Sequence, residues 1–385
     1  MTATTTTFAT PGPVRSHGPA QLALAVTGIG VVAPPRPGLD AFASALAKRP
    51  AAMTAVADPE RSPHVLEEFD VRAHLGRRGT STLDRVTSLA LVACAEALAD
   101  RQFDVDRRVG VSLGTTTGSL RSMSEYTRET LVEERPYLVN PALFPNTVMN
   151  CSAGQAAIRH GLRGINATIA GGDVAFFGVL RQALRALRLG HIDATLGGAA
   201  EEFSPQRAWQ MRLARRGGPG PVAGEGAAMF RRERAADAAA DGRRPLALIE
   251  SVTSGYCPGG ESPALAPALG GCIARALRDA GAGPDAITAV ACRVPTETIL
   301  PGAGHEAAAA ALGRPPRRWL DLDAVLGDCG AATSALQLAA LIVQSAQRPT
   351  AAVERALLIG WTRDGALAAA VVRTGDGSPG PGPHA

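Results

Sequence analysis

The stretch that decides the fold runs from Gly161-Leu162-Arg163-Gly164-Ile165 through Asn166-Ala167-Thr168-Ile169-Ala170 to Gly171-Gly172-Asp173-Val174. Residues Asn166 to Ala170 read as a short strand, and the paired glycines after them as a turn. From about Val174 to Leu189, apolar positions recur at helical spacing. Ala194 to Gly198 then reads as the next strand. Strand, glycine turn, helix and strand in 33 residues is one unit of an α/β layer.

The same alternation extends in both directions. Leu22 to Val26 reads as a strand closed by a glycine turn at Thr27-Gly28-Ile29-Gly30, and Arg108 to Leu113 as a second. A lone Gly28-Ile29-Gly30 lacks the third glycine and later acid of a dinucleotide loop, so it is read as a tight turn. Gly197-Gly198 marks a place where two backbones approach closely. After a Gly/Pro/Arg-rich break at 215–224 the pattern resumes. Strands are expected at Pro245–Val252, Ile287–Arg293, Trp319–Asp323, Ala356–Gly360 and Ala366–Val372. Helices are expected near Leu265–Ala280, His305–Leu312 and Ala331–Gln344. The two halves carry a similar order of elements, which favours a duplicated α/β fold with halves at 21–245 and 246–373. Residues 1–20 and 374–385, rich in Thr, Pro and Gly, are expected to be disordered tails.

Composition narrows the function. The 385 residues are 46% hydrophobic, 19% charged and 4% aromatic, with a net charge of +4. Mean hydropathy is +0.06, but no apolar run reaches the ~20 residues of a membrane span. A soluble, cytoplasmic protein is expected. Lys48 is the only lysine, and the arginines are spread among acids without interleaved aromatics, so nucleic acid is not an expected partner. The six cysteines form no C-x-x-C pair and no ligand spacing with histidine, which argues for reduced thiols and against a metal. No cofactor is expected.

The central block resembles β-ketoacyl synthases. The similarity runs without a gap from Gly161 through Arg188-Leu189-Gly190-His191-Ile192-Asp193 to Gly198-Ala199-Ala200-Glu201. Val26 to Pro34 is similar to that family's opening strand. Pro145-Asn146-Thr147-Val148-Met149-Asn150 with Ala153-Gly154-Gln155 resembles its dimer-interface helix start, and Gly224-Glu225-Gly226-Ala227 its mid-chain glycine motif. The resemblance implies a thiolase fold, an α/β architecture of two similar halves in a five-layered αβαβα arrangement.

The departures from the family are as informative. Its nucleophilic cysteine falls on Asp173, its first histidine on Arg293, its second histidine on Asp328 and its lysine on Asp323. Condensation needs a thiolate to hold the acyl group, and two histidines for decarboxylation and the oxyanion. An aspartate would give a mixed anhydride too labile to wait, and an arginine cannot act as a base at neutral pH. No catalytic residue is therefore expected. Asp173 can pair with Arg293, cap the following helix, or do both; Arg293 either locks that pocket or faces solvent.

This profile resembles the chain length factors of type II polyketide synthases, ketosynthase-like subunits paired with an active ketosynthase. Those usually carry glutamine at the cysteine position, so Asp173 leaves open a divergent branch such as reducing polyene-type systems. The resemblance implies a heterodimer with a catalytic ketosynthase subunit, an acyl carrier protein reached through that complex, and a shared acyl tunnel. Ser119, Leu120, Ser122, Met123, Tyr126, Leu143 and Phe144 are the tunnel candidates; Asn166, Ala167, Thr168, Ile169 and Ala170 are the interface candidates. The alternatives are a divergent acyltransferase or decarboxylase using Asp173 or Cys329, and a homodimeric scaffold. The arginines at Arg212, Arg215–Arg216 and Arg317–Arg318 are read as solvated surface that can also steer an acidic carrier.

Overall fold

The computed structural model describes residues 23–48, 62, 64–99, 103, 107–214, 222–295, 298–348 and 353–375. In chain order these form β1 (Leu24–Val32), α1 (Leu39–Ala47), α2 (Val71–Leu75), α3 (Arg85–Ala97), β2 (Val109–Thr115), α4 (Leu120–Val132), α5 (Cys151–His160), β3 (Asn166–Ala170), α6 (Ala175–Arg188), β4 (Ala194–Glu201), α7 (Pro205–Ala214), β5 (Gly226–Arg234) and α8 (Ala235–Ala240). There follow β6 (Ala247–Tyr256), α9 (Leu265–Asp279), β7 (Ile287–Arg293), α10 (Ala303–Leu312), β8 (Arg318–Leu320), α11 (Asp323–Leu326), α12 (Ala332–Ala346), β9 (Glu354–Trp361) and β10 (Ala366–Thr374). Residues 1–20 and 376–385, where tails are expected, lie outside the described residues. Thr374 does not begin a tail: it ends β10, opposite Ala247.

The strand order is β3-β2-β4-β5-β1-β6-β10-β9-β7-β8. Read outward from the β1–β6 junction, each side has the same pattern: first strand, antiparallel last strand, then three parallel strands with the third at the edge. The junction is short, pairing Leu24–Val26 with Ala247–Ile249.

Helix composition sorts the layers. α12 is buried on every side from Ala332 to Val343, as a helix apolar all round must be. α6 buries Phe176, Phe177, Val179, Leu180, Ala183 and Leu187 on one face and carries Arg181, Arg185 and Arg188 on the other. Both touch strands of the two halves and form the middle layer. α3 and α5 cover the outer face of the first half, and α9 and α10 that of the second. The five layers are those of the thiolase fold.

One expected turn is instead strand. Gly28 and Gly30 lie inside β1, where a Cβ would come within 2.3 Å of the Ala97 carbonyl oxygen and 2.0 Å of that of Ala93. These glycines let α3 press onto the strand backbone. The expected strand at Trp319–Asp323 is shorter, ending at Leu320, with Asp323 opening α11.

Candidate functional site

The four positions that depart from the family meet at one point, where β3, β7 and the loop before α12 end. Gly172, with φ +53°, turns the chain out of β3 into a single 3-10 turn that carries Asp173. Arg293 is the last residue of the buried strand β7 and is 2% exposed. Its Nε donates to Asp173 Oδ1 at 2.8 Å and its Nη2 to Asp328 Oδ1 at 2.9 Å. Its Nη1 donates to the Val294 carbonyl at 2.6 Å and lies 3.6 Å from Asp323 Oδ2. Arg293 thus turns inward and pairs with Asp173. Asp173 does not cap α6, whose N-cap position is Val174 without a side-chain bond.

A second guanidinium, absent from the sequence reading, completes the cluster. Arg207 of α7 donates from Nη2 to Asp328 Oδ1 at 3.1 Å and from Nη1 to the Gly224 carbonyl at 2.9 Å. The Gly330 amide donates to the same Asp328 oxygen at 2.6 Å. Burial opposes ionisation of Asp328, but Arg293 and Arg207 hold its carboxyl below the ordinary range. Burial raises Asp173 against the pull of Arg293. Burial, with Asp328, Asp321 and Asp173 adding to it, pushes Asp323 up to about 7. Asp323 also makes the longest contact with Arg293, so it is the natural holder of a proton.

Arg293 has five N–H donors and no lone pair, and three carboxylates surround it. Cys329, next to Asp328, points its thiol at the Glu225 and Leu326 carbonyls, and burial holds it well above the ordinary thiol range. Burial thus disfavours the thiolate that a nucleophile needs. His305 stacks on Trp319 with ring centroids 3.6 Å apart.

The tunnel candidates lie on α4, at its N-cap and in the segment that follows it, and divide into buried and exposed groups. Ser119 is its N-cap, accepting from the Ser122 amide, and Ser119 and Ser122 are both buried. Ser119 Oγ donates to Glu202 Oε1 at 3.1 Å. Met123 (41%) and Phe144 (57%) are exposed, and the Tyr126 and Phe144 rings sit 5.9 Å apart. Leu120 and Leu143 are half-buried. Met123, Phe144, Val148, Met149 and Ile158 are all exposed apolar side chains on α4, α5 and the segment between them.

The interface candidates form β3, an edge strand with exposed ends and half-buried centre. The Val111 amide donates to the Ile165 carbonyl, and the Gly171 amide to the Thr115 carbonyl. In a parallel ladder this assigns odd positions to β2, leaving the backbone groups of Asn166, Thr168 and Ala170 to the open edge. Of the basic groups, Arg212 lies over Trp209 and Arg318 pairs with Glu354; Arg215–Arg216 lie outside the described residues. Arg207, Glu201 and Glu202 were missed. Their signal was two adjacent acids ending the apolar strand at Ala194–Ala200, with a helical arginine soon after.

Five layers and a ten-stranded sheet whose two halves repeat one strand order define a thiolase-fold protein. The chain belongs to the β-ketoacyl synthase family: the beta-ketoacyl synthase N-terminal domain matches residues 23–238. A chain of the ishigamide ketosynthase/chain length factor is 35% identical, with a TM-score of 0.79 over 91% of this chain and 99% of that one. The type II PKS acyl-carrier protein in complex with its ketosynthase, AntDE:AntF, includes a chain 19% identical. Its TM-score is 0.75 over 92% of this chain and 100% of that one, a likeness of fold. The 3-oxoacyl-(acyl-carrier-protein) synthase 2 of Vibrio cholerae serotype O1 is 28% identical over 144 residues, 36% of this chain. The chain matches about a third (34%) of that relative's length. No helix among the described residues is long and apolar enough to cross a membrane.

Proposed function

We propose that this chain is a ketosynthase-like subunit without condensing chemistry of its own, acting as the chain length factor of a type II polyketide synthase. The observation that carries this reading is the Arg293 cluster. Where a ketosynthase needs a thiolate and two imidazoles, this chain holds a guanidinium within three carboxylates. No group there can hold the acyl chain as a thioester, and the acids that can take up a proton place negative charge where an enolate would form.

In this reading the partner is a catalytic ketosynthase. The outward backbone groups of Asn166, Thr168 and Ala170 pair with the same strand of that partner across a two-fold axis. The exposed apolar residues around α4 and α5 are covered in the pair, as expected of an obligate interface. Leu120, Met123, Tyr126, Leu143 and Phe144 then close the partner's acyl tunnel. The acyl carrier protein is met through the complex, in the cytoplasm. Residues 21–245 and 246–373 act as two copies of one α/β unit, with the cluster as a bridge between them.

The test is co-expression with a ketosynthase subunit carrying an intact cysteine and two histidines. Polyketide should form only with both chains present, and the two should purify together. Product from the ketosynthase alone, at the same length and yield, would contradict the reading.

A further inference from the structure

Helix α4 lies at the surface along most of its length. Of its 13 residues only Ser122 is buried, and Leu131 and Val132 near its end are largely exposed. Its buried polar attachment lies in the first turn, on Glu202. Besides the Ser119 hydroxyl, Glu202 Oε1 accepts the Arg121 amide at 3.2 Å, and Oε2 accepts the Val86 amide at the start of α3 at 3.3 Å. One carboxylate, 1% exposed, thus joins the N-termini of two helices. The adjacent Glu201 accepts the Thr116 and Ala331 amides, fixing the loop before α4 to the start of α12.

A carboxylate at two helix N-termini is favourable, since both dipoles present positive ends and unpaired amides. Asp84, which caps α3 at Thr87, adds an opposing negative charge, and burial with Asp84 raises Glu202 to about 7. A buried acid is retained in this unfavourable setting with three donors directed at it. From Ser119 to Tyr126 the helix rises roughly 10 Å, so a tilt of about 10° at the anchor moves the Tyr126 backbone by about 2 Å.

We propose that Glu202 is a positioning residue: it fixes the first turn of α4 and so presents Met123 and Tyr126 at one depth to the acyl chain. This rests on the chain-length reading above.

The experiment compares Glu202→Ala, Glu202→Gln and Met123→Ala, each as the full chain co-expressed with a catalytic ketosynthase. It reads amide hydrogen exchange over residues 117–126 and the distribution of product lengths. Glu202→Ala should speed exchange at Arg121 and Ser122 about five-fold or more and spread products over neighbouring lengths. Glu202→Gln, whose amide oxygen can still accept from Arg121, should restore most of both. Unchanged exchange in Glu202→Ala overturns the proposal. So does a parental length distribution in that variant when Met123→Ala shifts the lengths. If neither variant shifts lengths, the chain-length reading fails, and faster exchange alone then supports only the anchoring of α4. If Glu202→Ala does not assemble, Ser119→Ala removes the bridging hydroxyl, leaves the carboxylate in place and carries the same two readouts.

Discussion

Replacing Arg293 by methionine keeps much of the side-chain length and removes the charge at the centre of the cluster. Asp328 retains Arg207 and the Gly330 amide. Asp173 and Asp323 lose the ion pairs that Arg293 supplies. Removing one partner of a buried pair typically costs about 3–5 kcal/mol, because a desolvated charge is left behind. The loss should be largest near pH 8 and smaller near pH 5.5, where Asp323, its carboxyl pushed up to about 7 by burial, can take up a proton. For a chain this long we expect the thermal midpoint of its unfolding in the purified pair to fall on the order of 4–6 °C at pH 8. Adding Asp173→Asn and Asp323→Asn should recover at least half of that, since a neutral replacement of a buried ion cluster is often tolerated. Polyketide yield per assembled pair should be unchanged in both variants. A loss below about 1 kcal/mol, or no recovery with the two asparagines, would refute the view that these charges hold the halves together.

Three further outcomes are expected. Asp323 has its folded pKa raised to about 7, so its contribution to stability is full below about pH 4 and is lost as the pH rises through 7. Asp323→Asn should therefore flatten the fall of the thermal midpoint between pH 5 and 8, read by differential scanning fluorimetry. Thr168→Pro removes an N–H that faces the open edge of β3 while sparing the bonds to β2, so size-exclusion chromatography should show a folded chain that no longer co-elutes with the ketosynthase. Met123→Ala deepens the wall by a side chain exposed on α4, and mass spectrometry should find longer products, since a contact difference of about 1–3 kcal/mol changes the odds of one more extension roughly tenfold or more.

The architecture was legible because it is local. β3, α6 and β4 follow from apolar spacing around Gly171-Gly172, and α12 from an apolar run too long for a strand. Gly28 and Gly30 misled because a glycine demanded by a neighbouring helix looks in sequence like a glycine demanded by a turn; the helix that presses on them is more than 60 residues away. The resemblance identified Asp173, Arg293, Asp323 and Asp328 as altered, but their convergence joins positions up to 155 residues apart. Arg207 and Glu202 were missed for the same reason. An arginine in a polar helix and an acid after a strand look like surface until folding brings Asp328 of the opposite half to Arg207 and the first turn of α4 to Glu202.

The central claim is that this chain never carries the acyl group. Intact-mass spectrometry of the assembled pair, after incubation with an acyl-loaded carrier protein, tests it most directly. The account predicts one acyl adduct on the ketosynthase and none on this chain, at Asp173, Cys329 or elsewhere. A stoichiometric adduct on this chain would contradict it.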